Sequence, residues 1–127
     1  MNHFIKICGI TSKEDALMVE AEGADAVGFI LHEESDRFIE IEKVADIVEC
    51  LNNDLDIFLV FVNKEEEFVA NCLDKIPRAI PQFHGDEDAE FCSKFSEDFV
   101  KAVRVNAETN FDNINNWFAG AKLLLLD

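Results

Sequence analysis

Basic residues are scarce in this sequence. Eleven Lys and Arg stand against 27 Asp and Glu, a formal charge of -16, and no basic patch reverses it locally. Such a field repels nucleic-acid phosphates and anionic lipid heads, which argues against nucleic acid or a membrane as partner. It also opposes an anionic metabolite, whose phosphate would need a local cradle of backbone amides or a helix N-terminus. Long apolar runs are missing too. None approaches the roughly 18 residues that span a bilayer, and the opening MNHFIKICGITSKED lacks the apolar core and cleavage site of a signal peptide. The expected compartment is the cytoplasm. Cysteines at 8, 50, 72 and 92 show neither CxxC nor Cys/His ligand spacing. In a reducing compartment they are expected as free thiols, without a zinc site or a disulfide framework. With two prolines and five glycines there is no Pro/Gly-rich linker and no low-complexity stretch, so a single domain over residues 1–127 is expected.

What is present is core material: 49% hydrophobic residues, among them 12 Phe. A chain of this length can hide about two thirds of its unfolded surface. Strand-length apolar runs lie at 4–10, 26–31, 57–62, 79–83, 99–105 and 122–126. Between them apolar residues follow the helical period: Ala16, Leu17 and Met18 to Ala21; Val44, Ile47, Val48 and Leu51; Val69, Cys72, Leu73 and Ile76. Phe91, Cys92 and Phe95 make a shorter fourth helix, and Phe111, Ile114, Trp117 and Phe118 a fifth. Ser12 with Asp15 and Asn63 with Glu66 have the spacing of helix caps. Gly23 and Gly120 stand where helices should stop. The acidic runs Glu65–Glu67 and Asp86–Asp88 suit solvated first turns, and Cys50, Cys72 and Cys92 suit helix inner faces.

The result is an α/β chain of six strands and five helices. Right-handed crossovers make the strands parallel and buried on both faces, and LVFV and LLLL are the continuous runs that double burial favours. This pattern does not separate a (βα) barrel from an open doubly wound sheet, and the length suits the open sheet. A phosphoacceptor receiver domain needs carboxylates at its first and third strand ends. Here those ends read Cys8-Gly9 and Val62-Asn63.

In parallel α/β folds the site forms where strands give way to loops. There IKICGIT followed by KEDA, then GADAVGFIL, Ser35-Asp36-Arg37, VFVN, QFHGDE, KAVRV and LLLLD resemble, in order, the strand ends of the phosphoribosylanthranilate isomerase family. The resemblance covers all 127 residues. It implies a partial TIM-barrel-type fold and an isomerase of tryptophan biosynthesis acting on a small phosphosugar, without cofactor or metal. Two departures are Asp36 where the family has proline, and Phe83 in place of the usual apolar residue of a Gln-Leu-His-Gly motif. The family also continues for two further βα units, whose glycine-rich loops grip the phosphate. A half-barrel alone would expose two sheet edges, so association of chains through them is expected.

The reaction implied is an Amadori rearrangement: the ribose ring opens, a proton leaves the neighbouring carbon, and the enol-amine becomes an amino-ketone. By resemblance Cys8 is the general base, which requires a neighbour that stabilises its thiolate; outside such a motif a strand cysteine is ordinarily a buried inert thiol. Asp127 matches the general acid, a role that calls for a sheltered carboxyl, although as the last residue given it is expected to fray. Arg37 would orient the substrate through its planar cation, or be a solvated surface arginine. Gln82 and His84 would face the pocket, with a structural imidazole the alternative for His84. Asn63 reads as a helix cap, and Arg104 as a pocket residue or the partner of a nearby acid. The rival to an enzyme is a non-catalytic module that keeps the scaffold.

Overall fold

Among the described residues, six parallel strands form one sheet in sequence order: β1 (Lys6–Cys8), β2 (Ala26–Ile30), β3 (Asp56–Phe61), β4 (Ala79–Phe83), β5 (Val100–Val103) and β6 (Leu123–Leu126). Five helices connect them: α1 (Lys13–Ala21), α2 (Ile41–Val48), α3 (Glu66–Lys75), α4 (Ala89–Ser93) and α5 (Phe111–Trp117). This computed structural model describes residues 2–127, without the side chains of residues 115–117, so the expected place of Trp117 on the α5 stripe lies outside the described residues. Strict sequential order has no reversal point of the doubly wound kind. It is the order of a (βα) barrel wall, so the ambiguity left by the hydropathy pattern resolves to a half-barrel.

Register assigns the two faces. Val27 lies opposite Ile57 and Gly28 opposite Phe58, and side chains alternate along each strand. On the helix side, Val27, Phe29, Ile57, Leu59, Phe61 and Phe83 pack against Ala16, Val19, Val44, Ile47, Val69 and Cys92. On the other side a smaller cluster of Ala26, Phe58 and Val100, with Ile80 and Leu125 against it, forms the floor of the site. Phe83 is fully buried, and its ring centroid lies 5.9 Å from those of Phe61, Phe91 and Phe95. A buried Phe contributes about 1.5–3 kcal/mol, which is why an aromatic ring is accepted there. β4 also carries Pro81, which has no N–H to donate, and its ladder to β5 is the shortest, pairing only Gln82 with Val100 and Phe83 with Lys101.

Several local expectations need correction. Of the α1 stripe, Ala16 is buried as expected and shares the inner face with Val19, whereas Leu17, Met18 and Ala21 are exposed. Cys50 lies beyond α2 and is exposed, while Cys72 and Cys92 are buried as expected. Ser12 does cap α1, its Oγ accepting from Asp15 N at 3.1 Å. Asn63 caps nothing: α3 starts after Glu65 without a side-chain cap bond. Gly23 stops α1 with φ +88°, whereas Gly120 has no such backbone and α5 closes on Phe118. The run at 4–10 yields only a three-residue strand. LLLL is not buried on both faces, since Leu123 is 50% and Leu126 57% exposed; β6 has β5 on one side and, among the described residues, no strand on the other.

Candidate active site

The first cluster forms at the end of β1. Gly9 N and Ile10 N both donate to Gly28 O, at 2.9 and 3.1 Å, which turns the chain sharply over β2. Gly9 takes φ +86°, and a β-carbon on it would come within 2.6 Å of Arg37 Cδ. The Arg37 side chain lies over that bare backbone and donates from Nη1 to Cys8 O at 3.2 Å. Its own amide donates to Ser35 Oγ at 3.2 Å, which holds the turn that a proline would otherwise stiffen. Gly28, paired with Cys8, makes room for the thiol: a β-carbon there would stand 2.7 Å from Cys8 Sγ. Cys8 is half-buried and Arg37 exposed.

A second cluster crosses the floor. Alternation along β1 puts Lys6 and Cys8 on one side and Ile7 on the other. The Lys6 ammonium lies 4.6 Å over the Phe58 ring and donates to Gln82 Oε1. The amide nitrogen of Gln82, a residue only 1% exposed, meets His84 Nε2. Burial lowers the pKa of Lys6 from its usual value, and the nearby Cys8 opposes that shift. Burial likewise lowers the pKa of His84; the positive charges of Lys6 and Lys101 act in the same sense, and the carboxylates of Asp127 and Glu87 against it.

His84 opens into a cavity of about 560 Å³ lined also by Asn63, Arg104 and Asp127. Asp127 does not fray: its N–H donates to Val103 O at 2.9 Å and its carbonyl accepts from Val105 N at 2.7 Å, continuing the β5–β6 ladder. Its side chain is exposed, so the shelter expected for an acid is not formed around it. The cavity thus unites His84, Arg104 and Asp127. Cys8 and Arg37 are not among its lining residues; Lys6, on the same side of β1 as Cys8, reaches His84 through Gln82.

The rim is fixed from the helix side by Glu87. Read as part of a solvated first turn, it is instead buried, its side chain 3% exposed. Its carboxylate accepts from Asn63 N at 2.9 Å, Gly85 N at 2.7 Å and Lys101 Nζ at 3.1 Å. Lys101 Nζ also donates to Gly85 O at 2.6 Å. Of that acidic run only Asp88 serves a helix end, accepting from Phe91 N at 2.8 Å. Asn63 has φ 50° and its Oδ1 accepts from Asp86 N at 2.7 Å, so it ties the end of β3 to the loop after β4. Lys6, Glu87 and Lys101 were missed as site residues; the available signal was a lone lysine inside the apolar strands IKIC and VKAV. Among the described residues no group of three or more His, Cys, Asp or Glu is arranged to hold a metal ion.

The family model for N-(5'-phosphoribosyl)anthranilate (PRA) isomerase matches residues 5–127. The chain belongs to the phosphoribosylanthranilate isomerase family. An N-(5'-phosphoribosyl)anthranilate isomerase of Nitrosomonas europaea is 42% identical over 123 residues, 97% of this chain and 58% of the relative. The crystal structure of phosphoribosyl anthranilate isomerase from Thermotoga maritima superposes with a TM-score of 0.90 at 34% identity, over 99% of this chain and 62% of that one. An isomerase in complex with reduced 1-(o-carboxyphenylamino)-1-deoxyribulose 5-phosphate superposes with a TM-score of 0.88 at 35% identity, over 99% and 65%. The chain therefore spans a little under 60% of the curated family members it matches. Within the family frame, the ends of β1, β4 and β6 carry Cys8, the Gln82–His84 pair and Asp127.

Proposed function

We propose that this chain serves the Amadori rearrangement of phosphoribosylanthranilate in tryptophan biosynthesis. Cys8 is the general base that removes the proton from the carbon beside the opened ring. Asp127 is the general acid that protonates the ring oxygen as it leaves. Arg37 orients the substrate, with Gln82 and His84 beside it. The observation that carries the reading is that Lys6 and Cys8, Gln82 and His84, and Asp127 all project from one face of the sheet, the last of each pair at the C-terminal rim where (βα) barrels do their chemistry. The solved isomerase in complex with reduced 1-(o-carboxyphenylamino)-1-deoxyribulose 5-phosphate supports a phosphosugar as the ligand. No step of this scheme calls on a cofactor or metal.

We also propose that copies of the chain associate through the sheet edges. Ile7 on β1, and Leu123 and Leu126 on β6, are exposed at strands that have one neighbour each among the described residues. Light scattering that gives a monomer at high concentration would remove this part. The proposed compartment is the cytoplasm, consistent with four free cysteines. The function is tested by following the loss of phosphoribosylanthranilate fluorescence with the wild-type chain and with Cys8→Ser and Asp127→Asn. The expected result is turnover by the wild type and loss in both variants; three equal traces would leave only a binding scaffold.

A further inference from the structure

The contacts across the floor of the half-barrel determine more than position. A lysine ammonium only donates hydrogen bonds, so the atom of Gln82 it touches must be the oxygen. The opposite rotamer would press the amide NH2 against a cation. With its oxygen engaged by Lys6, Gln82 turns its NH2, a pure donor, toward His84 Nε2. Nε2 must then be the acceptor and carry no proton. The proton of a neutral imidazole is left on Nδ1.

We propose that Lys6, acting through Gln82, fixes His84 as the neutral tautomer with a bare Nε2, so that Nδ1–H is the ring's one donor in the cavity shared with Asp127. Lys6 and Gln82 are positioning residues in this scheme. His84 is the group that meets the ligand, and the chemistry it selects is a hydrogen-bond acceptor: a hydroxyl or developing oxyanion of the sugar. With Nε2 occupied, the ring holds a substrate oxygen and is not free to shuttle a proton through that atom, which leaves acid and base work to Asp127 and Cys8. Burial of Gln82 makes the arrangement strict, because no water competes for either end of an amide that is 1% exposed. The direction of the His84 shift agrees, since burial and the charges of Lys6 and Lys101 favour the neutral ring. The functional consequence rests on the isomerase reading; the tautomer does not.

Nitrogen-15 NMR of the full chain reads the ring directly, through long-range correlations from the ring protons, and three histidines give few signals to assign. The expected wild-type pattern is a protonated Nδ1 and an unprotonated Nε2, the reverse of the preference of a free neutral histidine side chain. Gln82→Glu keeps an oxygen for Lys6 and puts a second acceptor against His84, so Nε2 should become protonated. Lys6→Met frees the amide to rotate, and the Nε2–H form should appear. A wild-type spectrum with Nε2 protonated overturns the proposal outright. An unchanged ring in folded Gln82→Glu or Lys6→Met, with folding checked by circular dichroism, overturns the part played by that residue. The measurement needs no turnover, so an inactive chain with the expected tautomer would sink the enzyme reading alone, and an active chain with the other tautomer would sink this inference alone.

Discussion

Replacing Glu87 by glutamine removes one charge from a buried pair whose side chains are 3% and 5% exposed. The amide that results has one acceptor oxygen where the carboxylate has two. Either Asn63 N–H, now 2.9 Å from Oε2, or Gly85 N–H and Lys101 Nζ, at 2.7 and 3.1 Å from Oε1, must then face an NH2 group. Lys101 keeps only Gly85 O and the ring of Phe118, 5.7 Å away. Breaking a buried ion pair from one side costs about 3–5 kcal/mol. For 127 residues the unfolding entropy is about 0.27 kcal/mol per kelvin, so the expected fall in Tm is about 10–20 °C. Scanning calorimetry or a thermal melt followed by circular dichroism measures it. Glu87→Gln combined with Lys101→Met removes the stranded cation as well, and should be less damaging than the sum of the two single changes by at least about 1 kcal/mol. A fall of only a few degrees for Glu87→Gln, or strict additivity in the double variant, would mean that the pair does not hold the rim.

Three further outcomes follow from the geometry. In Gly28→Ala the new methyl would stand 2.7 Å from Cys8 Sγ, well inside the roughly 3.5–4.0 Å of normal contact, so the thiol must shift by about 1 Å and kcat/KM should fall about 100-fold; unchanged kcat/KM would deny Cys8 its role. Disulfide-exchange labelling of native protein should reach Cys8 and Cys50 first, because burial raises the thiol pKa of Cys72 to about 11 and that of Cys92 to about 12; mass spectrometry of partially labelled chain reads the order. In a proton NMR titration His84, which faces Lys6, Lys101, Asp127 and Glu87, should protonate below 6.5. The unfolded chain then binds that proton first, so stability falls as pH drops from 6.5 toward the folded midpoint, and above that window the group contributes no pH dependence. A midpoint at or above 6.5 would contradict it.

Much of the fold was legible in order and type: six apolar runs became six parallel strands and five periodic segments became five helices. Barrel order was not, because hydropathy is the same whether consecutive strands are neighbours or cross over. Motif resemblance supplied it. Cys8, Arg37, His84 and Asp127 were legible as rim residues, with Gln82 below His84 on β4, because strand ends are where such folds place chemistry. Their connections were not. That Arg37 donates to Cys8 O, that Gln82 bridges Lys6 and His84, and that Glu87 folds under the rim to meet Lys101 are contacts across 29, 76 and 14 residues. Local pattern carries no trace of such contacts. Asn63 misled for a related reason: cap spacing is a local signal, and the long-range bond to Asp86 overrode it.

The most direct measurement is a double-mutant cycle on kcat/KM for phosphoribosylanthranilate with Cys8→Ser, Asp127→Asn and the two combined. If base and acid act on one bound sugar, each single change removes most of the rate and the double variant is little worse than either. Losses that simply multiply, or a wild-type chain as slow as its variants, would contradict a shared site spanning β1 and β6.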